Sequence, residues 1–136
     1  MKPLAALLGI IVVAAIAWSG CGGGAAADEQ SAIAIRYSRF VPDELTVRAR
    51  VPVTIELRND DPIEHEWIVG TDASHEAHRT GTEPYHDTRP TEVTIPALSS
   101  RTTTIVFDEP GDYSYICHLP GHEAYGMTGT LRVVEP

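Results

Sequence analysis

The chain has 136 residues, enough for one domain with a single sizeable core and a short leader. Its formal net charge is −9, and beyond Cys21 nine Arg and no Lys stand against all 19 acids, leaving that part near −10. Such a balance argues against nucleic acid, because phosphate binding needs a basic face, and fits a basic protein partner or plain solubility instead.

Residues 1–20 read as an export signal. Lys2 is the only charge before LAALLGIIVVAAIAW, a 15-residue apolar run, whereas a spanning helix wants about 20 apolar residues. Ser19-Gly20-Cys21 resembles the lipobox of bacterial lipoproteins, in which the Cys is lipidated and becomes residue one. Trp18 stands where that motif usually has Leu. An uncleaved anchor, or a secretory signal cut near Ala27, is the alternative. Residues 21–30 contain GGGAAADE and read as a flexible tether without apolar content. Each version places the domain, residues 31–136, outside the cytoplasm, in the periplasm or on the outer face of the cell membrane. A lipid on Cys21 would tie it to that membrane.

From residue 31 the pattern has period two. SAIAIRYS puts Ile33, Ile35 and Tyr37 on one side, and ELTVRARVPVTIELRN continues with Leu45, Val47, Ala49, Val53, Ile55 and Leu57. TEVTIPAL, TTTIVF, DYSYIC and GTLRVV follow, separated by the turn clusters NDDP, SSR and DEPGD. Seven or eight short strands predict an all-β antiparallel sandwich or barrel. Residues 70–90, GTDASHEAHRTGTEPYHDTRP, break the rhythm and are too long for a hairpin loop. ASHEAHR there can form a turn of helix with Asp72 as its cap, placing His75 and His78 on one face. With His86 they form a cluster that could take a second Cu(II) or Zn(II), or could simply be a solvated polar loop.

If Cys21 is lipidated, Cys117 is the single thiol of an exported domain, where oxidation would favour pairs. Metal ligation is the best reason for it. In DYSYIC alternation places Tyr113, Tyr115 and Cys117 on the core face and turns His118 away, toward solvent. LPG then turns the chain to bring His122 beside Cys117, and AYG turns it again to present Met127. Thiolate, imidazole and thioether at Cys-x4-His-x4-Met suit copper when a second His completes the set, whereas zinc has little use for a Met. His65 in NDDPIEHEW is the best candidate, at the start of a strand just after a Pro-bearing turn. A Cys–His nucleophile pair would need an orienting acid and an oxyanion hole, and no motif supplies them.

These residues resemble the cupredoxins, the blue copper family that includes plastocyanin and azurin. The likeness covers residues 31–136 and rests on FVPDELTV, NDDPIEHEW and GDYSYICHLPGHEAYGMTGTLRV. It implies a Greek-key β-sandwich with one copper ion, cycling between Cu(I) and Cu(II), at a type 1 site formed by His65, Cys117, His122 and Met127. Cys-x4-His resembles azurin's loop and His-x4-Met plastocyanin's. Many members have an Asn directly after the first His ligand, where this chain has Glu66, which bears on the potential. A binuclear centre would need two Cys in this loop. The resemblance implies a monomeric electron-transfer protein, not an enzyme, with His122 as the route for electrons. Its partners would be redox proteins at the membrane, such as a cytochrome, an oxidase or a reductase, met by transient docking; His118 could assist that docking. The alternative is a copper-binding protein for resistance, storage or delivery, favoured by the His-rich loop and Glu66.

Overall fold

The computed structural model describes residues 29–81 and 89–136, which form nine strands, two helices and their connections. The strands are β1 (Glu29–Ile35), β2 (Phe40–Val41), β3 (Glu44–Arg48), β4 (Val53–Asn59), β5 (His65–Gly70), β6 (Glu92–Ile95), β7 (Ser100–Ile105), β8 (Gly111–Ile116) and β9 (Thr128–Val134). Helix α1 is Asp72–Arg79 and α2 is His122–Tyr125. One sheet has the order β2-β1-β4-β7 and the other β3-β9-β8-β5-β6. The expected sandwich is therefore present, with a two-residue strand beyond the expected seven or eight. It is not wholly antiparallel: β1 runs parallel to β4 and β3 parallel to β9. The first strand also begins two residues early, since Glu29 and Gln30 pair with Val53 and Thr54 rather than belonging to a tether.

Alternation does what the pattern requires. Ile33 and Ile35 of β1, and Val53, Ile55 and Leu57 of β4, point inward and are all 0% exposed. From the other sheet Val47, Trp67, Val69, Tyr115, Leu131 and Val133 meet them, and Cys117 and Met127 lie in the same apolar cluster. Burying whole Ile, Leu and Val side chains contributes about 1.5–3 kcal/mol each, which is why a chain with few aromatics still closes a core. Tyr37 breaks the expected series. With φ 54 at Tyr37 and 52 at Ser38, the chain leaves β1 in a left-handed turn, and Tyr37 is 86% exposed.

Strand β5 is buried on both faces because α1 packs against its outer side. Gly129 in β9 stands directly opposite Tyr115, and a Cβ there would come within 2.2 Å of the tyrosine ring. The glycine lets that ring lie flat across the strand while its hydroxyl donates to the Pro42 carbonyl at 3.0 Å. The turn between β4 and β5 is organised by buried Asn59. Its amide group donates to the carbonyls of Ile63 (2.7 Å), Pro96 (3.0 Å) and Ile95 (3.1 Å), and its Oδ1 accepts from the Asp61 backbone at 3.0 Å. That turn and the 117–127 loop meet at one end of the sandwich.

Candidate metal centre

His65 opens β5, and Cys117 follows the last residue of β8, so both are carried by paired strands. The LPG segment turns the chain back, and His122 begins α2. The ligand atoms of His65, Cys117 and His122 all lie within 4.8 Å of one another. His65 Nδ1 and Cys117 Sγ each stand 3.2 Å from His122 Nδ1. Two donors about 2 Å from one ion stand roughly this far apart. Met127 is 0% exposed, in the same cluster as Cys117, and its backbone closes the loop: its N–H donates to the His122 carbonyl at 3.0 Å, and its carbonyl accepts from Cys117 N–H at 3.2 Å. All four expected residues thus come from two connections at one end of the sandwich.

The donor set fits copper. One thiolate, two imidazole Nδ1 atoms and a thioether form the soft-to-borderline combination that suits a copper ion changing oxidation state. Among the described residues no other group of three or more His, Cys, Asp or Glu converges in this way. His65 is turned toward the centre by a residue that sequence reading passed over. Its Nε2–H donates to Asp61 Oδ2 at 3.0 Å, which leaves Nδ1 as the lone-pair nitrogen. A carboxylate on the far side of a ligating imidazole fixes its tautomer and raises its basicity. The same carboxylate accepts the N–H groups of Tyr37 (2.7 Å) and Ser38 (2.8 Å), which is what the left-handed turn there achieves. Burial alone would raise the Asp61 carboxyl; the Ser38 and Tyr37 N–H groups and the His65 ring outweigh it and hold it below the usual carboxylate range. The signal for Asp61 was a second Asp beside Pro62, at a turn preceding a candidate ligand.

Glu66 donates its backbone N–H to Cys117 Sγ at 3.3 Å, so the two ligand segments are linked through the main chain at the position where an Asn side chain was expected to matter. Burial pushes the Cys117 thiol up, although the N–H groups of Glu66 and Leu119 oppose this. Metal capture must therefore displace a proton from sulfur. Burial likewise lowers the pKa of His65, with Asp61 partly offsetting it.

His118 is not a solvent-facing residue. It turns away from the core, as alternation requires, but α1 covers that face. His118 Nε2 lies 3.0 Å from His75 Nδ1, and its ring stacks on His78 at 5.3 Å between centroids and 15° between planes. His75, only 1% exposed, donates Nε2–H to the Ser114 carbonyl at 3.1 Å. The i, i+3 relation of His75 and His78 is as expected, but His75 faces inward into hydrogen bonds. His86 lies outside the described residues. The helix cap is Thr71, whose extended backbone (φ −84, ψ 167) lets its Oγ1 accept from Ser74 N–H at 3.4 Å; Asp72 occupies the first turn instead.

Burial, with neighbouring His75 adding to it, pushes His118 down to about 4. An imidazole pKa depressed in the folded state stabilises fully above the unfolded value of 6.5, and that contribution is lost as pH falls toward the folded one. The metal-free protein should therefore lose up to about 3 kcal/mol between pH 7 and pH 4 from this group. Urea unfolding across that range should show the loss, and His118→Gln should flatten it.

A family model described as cupredoxin-like domain matches residues 9–133. The copper-resistant cuproprotein CopI of Rubrivivax gelatinosus is 33% identical over 116 residues, covering 81% of this chain and 70% of that protein. Among solved structures, auracyanin B superposes with a TM-score of 0.63 at 27% identity over 77% of this chain and 88% of its own. Auracyanin A of Chloroflexus aurantiacus, a blue copper protein, gives 0.62 at 25% identity over 79% and 100%. The auracyanin of Roseiflexus castenholzii shares the fold, with 0.64 at 22% identity over 77% and 96%. With a sandwich of this topology, a convergent His65–Cys117–His122–Met127 set and a family match over most of its length, the chain belongs to the cupredoxins.

Proposed function

We propose that this cupredoxin is a type 1 copper electron carrier working outside the cytoplasm, held at the membrane by a lipid on Cys21. The observation that carries this reading is the burial of the donor set. His65, Cys117 and Met127 are each 0% exposed, and His122 alone is only partly covered. Copper supplies a one-electron couple between Cu(I) and Cu(II) when bound. The chain's part is to keep the donors where they are in both states. Cys117 is fixed at a strand end with Glu66 N–H on its sulfur, and His65 is fixed by Asp61. Small ligand movement lowers the cost of each electron exchange, and partly exposed His122 gives the electron its way in and out. No bond of a substrate is made or broken, so the protein is a carrier rather than an enzyme, and its partners are redox proteins docking transiently at the His122 end.

A second reading has its own support. The 33% identity to a copper-resistant cuproprotein over most of the chain favours copper capture, storage or delivery through the same four residues. Copper titration with optical and EPR detection separates the two. An electron carrier should saturate at one equivalent with an intense thiolate-to-copper band, narrow hyperfine splitting and a fast reversible couple. Uptake beyond one equivalent, or passage of copper to an acceptor without a reversible couple, would favour copper handling. Colourless binding would overturn the type 1 assignment.

A further inference from the structure

The insertion between β5 and β6 sends α1 onto the ligand loop, where His78 stacks on His118 and two further side chains of the helix, His75 and Arg79, make polar contacts. Arg79 grips Glu123 with Nε at 3.1 Å from both carboxylate oxygens and Nη2 at 2.6 Å from Oε1. One turn earlier, His75 joins the loop to β8. Among the described residues the acceptor on its Nε2 side is the Ser114 carbonyl, so Nε2 carries the proton and Nδ1 accepts from His118 Nε2–H.

Both contacts land beside ligands. His118 follows Cys117 in the chain, and Glu123 follows His122. The piece they restrain cannot restrain itself: α2 has four residues, its N-cap Gly121 offers no side-chain hydrogen bond, and so short a helix is marginal on its own. From outside α1 Arg39 also clamps it, Nη1 donating to the Gly126 carbonyl at 2.7 Å. Since His122 is the one ligand not fully buried, the copper's way out runs through movement of α2.

We infer that His75 and Arg79 are positioning residues of the metal centre, holding the 117–127 loop closed over Cys117 and His122 from the helix of the 70–90 insertion. They touch no metal; they set how often the loop opens. This rests on the copper reading of the site and deepens it, because a carrier needs the loop shut and a delivery protein needs it to open on demand.

The test uses the full domain in metal-free and copper-loaded forms. In the metal-free protein, Arg79→Ala should speed amide exchange at Tyr125, Gly126 and Met127 about threefold, the size of a good partly exposed ion pair, with Ile55 and Leu57 unchanged. Reduced copper should pass to bicinchoninic acid faster by the same factor, and Arg79→Lys should restore part of the difference. His75→Leu leaves the buried His118 N–H without an acceptor and should speed both by about tenfold or more. His75→Asn, which keeps an acceptor near that position, should recover some of it. Unchanged exchange and release in Arg79→Ala and His75→Leu would overturn the inference, as would faster exchange in every strand alike. Should His75→Leu not fold, the Arg79 pair decides. If the unsubstituted protein shows no thiolate-to-copper band, the copper reading fails on its own, while amide exchange still judges whether α1 holds the loop.

Discussion

Replacing Cys117 by Ala should remove the thiolate-to-copper band entirely and weaken copper binding more than about a hundredfold, while the metal-free domain stays folded. The two effects separate because the sulfur has two unequal jobs. As a packing group it is a small atom in the apolar cluster, 0% exposed, with the N–H groups of Glu66 and Leu119 toward it; truncation costs on the order of 1 kcal/mol. As a donor it is the only anionic and softest member of the set, and outer-shell changes alone cost 10–100-fold in affinity. Burial raises its thiol pKa, so loading releases a proton and affinity should climb with pH. Competition titrations at pH 6, 7 and 8 should show that slope in the parent and its loss in Cys117→Ala. A colourless parent, or a blue variant, would contradict the ligand set.

Asp61→Ala is expected to be the most damaging change outside the ligands. One buried carboxylate accepts two backbone N–H groups and the His65 ring, so truncation leaves three donors without their partner. The loss should be about 3 kcal/mol or more. Copper affinity should fall 10–100-fold in addition, because nothing then fixes which His65 nitrogen faces the metal. Asp61→Asn keeps the shape and one acceptor oxygen but presents an amide N–H where the parent accepts, so it should fall between. Acid provides a further check. A carboxyl held below its usual range stabilises fully above the unfolded value of 3.8, and that contribution drains away as pH drops through the folded one. Urea midpoints of the metal-free parent should fall below pH 4 with a component that Asp61→Asn lacks. Identical acid profiles would show that the carboxylate carries no such load.

The four candidate ligands could be picked out because their chemistry and their spacing agree. Cys117, His122 and Met127 sit in one short loop, and His65 follows a Pro turn at the head of a strand, where period-two alternation still holds. Alternation also turned His118 away from the core correctly. What it could not say is that this outer face is covered. Strand periodicity reports which side a residue faces, while the cover comes from a helix in a polar insertion whose docking is a tertiary event. Tyr37 was misplaced for a related reason: an apolar ring continued the alternating pattern past the residue where β1 ends, and the left-handed turn exists to bring N–H groups to Asp61. The paired aspartates of NDDP look alike in sequence. Asp60 goes outward to Arg36 and Arg58, whereas Asp61 goes inward, and only the packed turn separates them.

The unequal exposure of the ligands has a consequence for how the molecule behaves in company. Among the described residues three candidate donors are sealed and His122 is partly covered, so in the electron carrier proposed above electrons, incoming copper and any chelator would share the His122 end as one doorway. A protein seated there to exchange an electron stands, for that moment, between the metal and everything that would strip it. On that proposal docking and metal retention would reinforce each other: copper should leave fastest from the undocked protein and slowest while a redox partner is seated.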